Sequence, residues 1–404
     1  MMMGAAIFVI LHKRRKKKRS ASLDGLIRDG TPLASLRKEF SMTGSPRTHI
    51  FSYEELDEAT DGFSEARELG VGGFGTVYKG ILSDGSVVAV KLQYNNSYKG
   101  VEQFLNEVDI LSRLRHPNLV TLYGCTSQQS SRDRDLLLVY EFVPNGTLAD
   151  HLHGARAGAG PATGSSPPLL PWPTRLGIAV ETASALDYLH AVEPRQVVHR
   201  DVKTINILQD EGFHVKVADF GLSRLFPADA THVSTAPQGT PGYLDPMYHQ
   251  RYQLTDKSDV YSFGVVLVEL ISSKPAVDMN RTSADVNLAN MAVHMIQGHG
   301  VDRLVDPRLR YATDGWTVDV VAEMAFRCLQ PEQDVRPPIR EVLDALRELQ
   351  RMEQAGDDVG LLRKKSRDGS PPRRTPSCTR GQARPRRPIT AVEAYSEKCF
   401  LFFQ

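Results

Sequence analysis

The stretch that most constrains this chain is a polar loop, His199-Arg200-Asp201-Val202-Lys203-Thr204-Ile205-Asn206, enclosed by apolar Val197-Val198 and Ile207-Leu208. Short apolar runs on both sides predict two buried strands that clamp the loop between them. A further apolar run, Val215 to Ala218, delivers a second carboxylate in Asp219-Phe220-Gly221. A fold that joins these pieces gathers two carboxylates, an ammonium group and an amide oxygen into one small volume. Phosphoryl transfer needs such a set: a carboxylate to orient a hydroxyl, hard oxygen ligands for Mg2+, and positive charge on the transferred group.

Upstream, Gly70-Val71-Gly72-Gly73-Phe74-Gly75 leads into Thr76-Val77-Tyr78. Glycines let a strand, turn and strand approach phosphates closely, so that backbone N–H groups can cradle them. The same Gly-x-Gly-x-x-Gly spacing opens dinucleotide-binding folds, but those continue into a helix. Here an Asp84-Gly85 turn is followed by the β-rich run Ser86 to Lys91, so a hairpin is expected and the dinucleotide fold is excluded. Lys91 ends an apolar run beside the expected phosphates and therefore needs a counter-ion. Phe104, Glu107, Val108 and Leu111 recur at i, i+3, i+4 and i+7, which puts Glu107 on the apolar face of a helix, where a carboxylate needs a cation.

Around these motifs the chain alternates firm and loose segments. Ser52, with Glu55 three residues on, has the pattern of a capping box that starts a short helix. Leu136 to Val143 reads as a largely apolar strand broken by Pro144-Asn145-Gly146. Gly154 to Pro173 is rich in Ala, Gly, Ser and Pro and is expected to be a mobile surface loop before a helix over Thr174 to His190. Leu222 to Gly242 lacks periodicity and carries Thr231, Ser234, Thr235 and Thr240, as functional loops of this length do. Val265 to Ile271 reads as a fully buried helix, and helical segments continue to about Leu349.

The net charge of +1 conceals a division, because Lys13 to Arg19 carries +7 and Arg363 to Arg387 carries +9, which leaves the remainder at −15. An acidic body argues against a nucleic-acid-binding core. Four scattered cysteines without paired or metal-ligand spacing suit a reducing compartment and read as packing residues or solvated thiols. Met1 to Leu11 is apolar and stops at His12, about half the length that spans a bilayer, yet it runs straight into dense Lys and Arg. Residues 1–12 are therefore expected to be part of a membrane segment, 13–50 a basic juxtamembrane linker, 51–350 the catalytic domain and 351–404 a basic, disordered tail. Position 2 is Met, which rules out a myristoyl anchor.

From about Phe51 to Leu349 the sequence resembles plant receptor-like kinases of the wall-associated and leaf-rust-resistance-like group. The resemblance rests on Phe51-Ser-Tyr-Glu-Glu-Leu56, Leu138-Val-Tyr-Glu141, Thr147 to Gly154, Thr231 to Thr240 and Leu254 to Gly264, beyond the general kinase motifs. It implies an α+β bilobal fold: a small β-rich lobe with one helix over about 63–141, and a larger, mainly helical lobe over about 146–350. It further implies ATP-dependent phosphorylation of Ser or Thr with Mg2+, or Mn2+ in its place. Gly70, Val71, Gly72, Gly73, Phe74 and Gly75 would cover the phosphates, and Lys91, held by Glu107, would contact them. Asp201 would orient the acceptor hydroxyl, Lys203 would stabilise the γ-phosphoryl charge, and Asn206 with Asp219 would hold the metal. Tyr140 takes the gatekeeper position, the backbone of Glu141 and Val143 would bond adenine, and Val77, Ala89 and Leu208 would sandwich its ring. Thr231, Ser234, Thr235 and Thr240 fall on the activation segment, within reach of Arg200. Protein substrates, the plasma membrane, and a co-receptor or second copy are the implied partners.

Two positions depart from the group. Ile205 replaces an Asn just before Asn206, and Met247 stands where an acidic residue is expected to pair with Arg336. A methionine cannot neutralise that arginine, so a loosened Tyr243 to Met247 segment and a weakened enzyme are expected. A pseudokinase scaffold is the alternative reading, and an adaptor working through its basic ends is a third.

Overall fold

The structure, a computed structural model, describes residues 49–73, 75–93, 98–126, 136–153, 170–227, 230–283, 285–309 and 315–368, with backbone alone beyond 355. The expectations for residues 1–48, Phe74, the insertion at 154–169 and residues 369–404 lie outside the described residues. One compact unit ends at Gln354, and residues 355–404 form another.

The small lobe is a six-stranded sheet in the order β1-β5-β6-β4-β3-β2. Its strands are β1 (His49–Phe51), β2 (Glu68–Val71), β3 (Gly75–Ile81), β4 (Val87–Gln93), β5 (Leu122–Thr126) and β6 (Leu136–Glu141). The β3–β4 hairpin turns through Asp84-Gly85 as expected, with Gly85 at φ 86 and the Asp84 carboxylate accepting the Ser86 N–H at 2.8 Å. Alternation along the central strands sends Val88, Val90, Leu137 and Val139 to one face, where they bury Phe51 and Leu56. Leu56 belongs to helix α1 (Tyr53–Ala59), whose first turn is capped by the Ser52 hydroxyl accepting the Glu55 N–H at 3.1 Å. The opposite face receives α2 (Tyr98–Leu111) through Phe104, Val108 and Leu111. The segment before the glycine-rich loop thus covers the back of the sheet, and β1 adds to its edge in parallel with β5. A Cβ on Gly124 would lie 2.1 Å from the His49 carbonyl oxygen, so glycine is required for β1 to pass.

The large lobe is built on α4 (Trp172–Ala191), α6 (Asp256–Ser272) and α9 (Trp316–Cys328), after the one-turn α3 (Leu148–Leu152) and α5 (Pro246–Arg251). The expected apolar face of α4, with Leu176, Val180, Ala183, Leu186 and Leu189, is buried throughout. Helix α6 is buried all round from Ser258 to Ser272, so it is the pillar from which the site is hung. Then come α7 (Leu288–Gln297), α8 (Val301–Leu304) and α10 (Ile339–Asp368). The last helix passes Arg351, where the tail was expected to begin, and stays helical to Asp368. Helix-favouring Leu, Ala, Glu, Gln and Arg fill most of it, and it meets no proline before Pro371. Cys125 and Cys328 are buried free thiols, and burial pushes them up to about 11 and about 12. No helix among the described residues is long and apolar enough to cross a membrane.

Candidate active site

Lys91 leaves β4 toward the large lobe, and its ammonium group lies 2.9 Å from Glu107 Oε2 and 2.8 Å from Asp219 Oδ1. Glu107 is fully buried on α2, as its place on the apolar face requires. Burial alone would lower the Lys91 pKa, but the charges of Asp219 and Glu107 outweigh it and hold the ammonium group protonated above its usual range. Burial likewise works against the Asp219 carboxylate, and Lys91 more than reverses this, with help from Lys203 and His199, so that its pKa falls below the ordinary value. Strand register sets Val77 opposite Lys91 and Ala89 opposite Tyr140, so these four side chains share the sheet face that looks onto the site. Tyr140 is buried there, and burial followed by the nearby Glu107 carboxylate keeps its hydroxyl neutral.

The glycine-rich turn closes where the Gly72 N–H donates to the Gly75 carbonyl at 2.8 Å. A Cβ on Gly75 would sit 2.4 Å from the Leu92 carbonyl oxygen, whereas Gly70 and Gly73 face open space. Val71 is 65% exposed at the tip of β2. On the connection to the large lobe, Glu141 Oε1 accepts the Thr121 N–H at 2.7 Å and the Lys216 ammonium group at 3.1 Å. Val143 follows it half-buried, and Leu208, also half-buried, pairs with Lys216 across β8 (Ile207–Gln209) and β9 (Val215–Val217).

The catalytic loop runs from β7 (Val197–Val198) to β8, as the flanking apolar runs predict. Asp201 Oδ1 accepts the Thr240 hydroxyl at 2.7 Å, while the Lys203 ammonium group lies 2.6 Å from Asp201 Oδ2 and donates to Thr240 Oγ1 at 2.8 Å. Asn206 Nδ2 donates to the Asp201 carbonyl at 2.9 Å. Among the described residues no donor engages the side-chain oxygen of Asn206 or Oδ2 of Asp219. Two hard oxygens without protein donors fit a magnesium ion that completes its shell with water and phosphate. No group of three or more His, Cys, Asp or Glu among the described residues has metal-holding geometry, and a cation bound this way needs none. Ile205 is 55% exposed, so its departure leaves the bonds of Lys203 and Asn206 intact.

The loop is hung from Asp259, a fully buried carboxylate on α6 whose two oxygens accept the His199 and Arg200 N–H groups at 2.7 Å each. This tie was missed in the sequence, where the available signal was a carboxylate in the first turn of a helix whose middle, Val265 to Val268, is apolar. Arg200 itself stands at φ 72, a conformation that costs a side-chain-bearing residue about 1–2 kcal/mol and so depends on such bonds.

Residues Arg224–Leu225 (β10) pair with β7, and Val233–Ser234 (β11) pair with Gln253–Leu254 (β12), which lays the activation segment against the large lobe. Arg200 donates to Thr235 Oγ1 at 3.3 Å and to the Ala236 carbonyl at 2.6 Å, and its buried Nη1 has no partner among the described residues. Burial lowers the Arg200 pKa; the Tyr248 hydroxyl opposes this and the Arg224 charge adds to it. Arg224, which no motif in the sequence marks, is therefore near enough to Arg200 for its charge to act on it. Thr231 and Ser234 lie on the surface, and Thr240 is enclosed by Asp201 and Lys203.

The expectation for Met247 is overturned. Arg336 is fully buried and lies 2.8 Å from Asp245 Oδ1, with both side chains at 0% exposure. Asp245 caps the first turn of α5, where it also accepts the Met247 N–H at 2.9 Å, so the cap carboxylate two residues earlier supplies the missing charge.

The sequence profile described as protein tyrosine and serine/threonine kinase matches residues 63–346. In Arabidopsis thaliana, the leaf rust 10 disease-resistance locus receptor-like protein kinase-like 1.2 is 56% identical over 356 residues, covering 86% of this chain and 52% of that protein. Its relative 1.4 is 58% identical over 333 residues, covering 78% and 48%. Wall-associated receptor kinase-like 14 is 46% identical over 329 residues, covering 80% and 44%. The chain spans about half the length of the curated relatives it matches.

Proposed function

The chain belongs to the family of protein tyrosine and serine/threonine kinases, and from that premise we propose that it phosphorylates serine and threonine on protein substrates as the cytoplasmic part of a receptor-like kinase. Bound MgATP would supply the γ-phosphoryl group and a charge-neutralising cation. Lys91, steadied by Glu107, would contact the α- and β-phosphates beneath Gly70, Gly72 and Gly75. Asn206 and Asp219 would hold Mg2+, or Mn2+ in its place, through their side-chain oxygens. Val77, Ala89 and Leu208 would enclose adenine, and the backbone of Glu141 and Val143 beside Tyr140 would bond its edge. Asp201 orients the acceptor hydroxyl and Lys203 offsets charge on the moving phosphoryl group.

The observation that carries this reading is the Thr240 hydroxyl, held at 2.7 Å by Asp201 and at 2.8 Å by Lys203. An aliphatic hydroxyl already rests on the orienting carboxylate, and Thr240 serves there as an unmodified positioning group. Seating at the plasma membrane, with a co-receptor or a second copy as partner, follows from the receptor-like kinases it is similar to and from the basic run Lys13 to Arg19. The test is radiolabelled phosphate transfer from MgATP to the chain itself and to a basic protein, with phosphoamino-acid analysis. Wild type should give phosphoserine and phosphothreonine, and Asp219→Asn should lose at least 100-fold in rate, roughly the loss of one preorganised transition-state contact. Equal incorporation by both, or phosphotyrosine as the main product, would overturn the proposal.

A further inference from the structure

Asp219 stands at φ 68, in the left-handed region, where a residue with a Cβ is strained. Its backbone must be held there by its surroundings. Lys91 secures the carboxylate, but the turn after it is gripped from helix α2. Glu107 Oε1 accepts the Phe220 N–H at 3.2 Å. Asn106, the preceding residue, turns its amide nitrogen onto the same turn, 3.1 Å from the Phe220 carbonyl oxygen, 2.9 Å from that of Ser223 and 3.4 Å from that of Gly221. An amide NH2 has two hydrogens, so the two shorter contacts are full bonds and the third is shared. Consecutive helix residues diverge by about 100°, so a segment held by both Asn106 and Glu107 straddles the helix surface and cannot roll on it. Ser223, fully buried, passes the tie onward when its hydroxyl donates to the His199 carbonyl at 3.1 Å.

We propose that Asn106 is a positioning residue that locks the Asp219-Phe220-Gly221 turn to helix α2, so that the metal-binding carboxylate and the Lys91–Glu107 pair are set in place as one unit. Three carbonyls converge on one amide nitrogen, and a side chain without N–H donors leaves them facing one another. The turn then relaxes from its left-handed start and Asp219 meets the metal less often. The effect on metal binding rests on the kinase reading above; the lock itself does not.

The test uses the full chain carrying Asn106→Ala, Asn106→Asp and Asn106→Gln. Asn106→Asp keeps the shape and replaces the donors by an acceptor, whereas Asn106→Gln keeps the donors on a longer arm. Backbone hydrogen exchange of the ligand-free protein over residues 219–224 should accelerate on the order of five-fold or more in the Ala and Asp variants, the effect of losing one net hydrogen bond, while Val260 to Ile271 stays unchanged. Half-saturating Mg2+ for phosphorylation should rise by a similar factor, with kcat at saturating Mg2+ within about three-fold of wild type. The Gln variant should lie nearer wild type than the Asp variant. Unchanged exchange over 219–224, acceleration spread equally over both lobes, an unshifted Mg2+ dependence, or an Asp variant no worse than the Gln variant would each overturn the proposal. If Asn106→Ala fails to fold cooperatively, the Asp and Gln pair decides. Should wild type prove inactive, the proposed function falls, and the exchange measurement still judges the lock.

Discussion

Asp245 shows how one residue can carry a lobe without touching the chemistry. Its carboxylate meets the Arg336 guanidinium at 2.8 Å, the Ser258 hydroxyl at 3.0 Å and the Gln333 amide at 2.7 Å, besides capping α5. Arg336 in turn donates to the carbonyls of Gln330, Lys257 and Pro331 and lies 5.0 Å over the Tyr261 ring. Both ions are thus desolvated and fully bonded, the case in which deleting one partner costs about 3–5 kcal/mol. Set against total stabilities of about 5–15 kcal/mol, Asp245→Ala should leave the large lobe marginal or unfolded. Met247, half-buried beside the pair, lacks no partner, so Met247→Glu should change stability by less than about 1 kcal/mol. Denaturant unfolding of both variants checks this. Stabilisation by Met247→Glu above about 2 kcal/mol would mean that Asp245 leaves Arg336 short of negative charge.

The activation segment is the element whose state should be set by modification. Its β11–β12 pairing and the Thr235 N–H bond to the Tyr252 carbonyl at 3.0 Å already fix its path without a phosphate. What the unmodified segment leaves unmet is the spare N–H capacity of Arg200 next to Thr235. A phosphate there carries roughly −1.5 to −2 charge and can add one to three charge-assisted bonds. Because the path is already set, Thr235→Ala should lower activity of an autophosphorylated preparation by about five- to twenty-fold instead of abolishing it, while Ser234→Ala and Thr231→Ala stay near wild type. Phosphosite mapping with initial rates measures this, and unchanged activity of Thr235→Ala would remove it from the mechanism. Elements were legible wherever a side-chain pattern announced them. The Asp84-Gly85 hairpin, the Glu107 face of α2 and the strands flanking Asp201 all follow from local alternation and turn chemistry. Contacts between a side chain and distant backbone were not: Asn106 and Asp259 bond peptide groups, which every residue carries and no motif marks. Strand β1 escaped notice because three residues show no period and their partner lies over seventy positions away. Asp245 was overlooked because a cap residue points back into the helix start, a direction that sequence spacing does not reveal.

At the scale of the whole catalytic unit, the two lobes share one apolar cluster and are also tied by ion pairs along the cleft. Lys91 of the small lobe holds Asp219 of the large one, Glu141 holds Lys216 at 3.1 Å, and Arg224 reaches Glu102 at 3.3 Å. Closure should therefore depend on pH in a direction that can be worked out. Asp219 has its pKa lowered in the folded state, so it favours protonation less there than when unfolded. Its contribution is present above the ordinary carboxylate value of 3.8 and disappears as the pH falls through the folded value. Asp306, bonded by Arg308 and Ser273 and held at about 2, loses its share over the same acid window. Lys91 is shifted up, so its contribution is complete below 10.5 and is lost as the pH rises beyond that. Stability should form a plateau between about pH 5 and 9 and fall at both ends. Replacing Asp219 by Asn isolates one arm. The loss of one charge-assisted bond should cost about 1.5–3 kcal/mol across the plateau, reduced where Glu107 still satisfies Lys91. As the pH falls below the ordinary carboxylate value of 3.8 the difference between wild type and Asp219→Asn should shrink, and it should reach zero only below the lowered folded value, where the wild-type carboxylate is neutral as well. Unfolding curves of the two proteins at pH 3, 5 and 7 test this. A gap that stays constant down to pH 3 would show that Asp219 acts through its shape, and that its ion pair with Lys91 does not help to close the cleft.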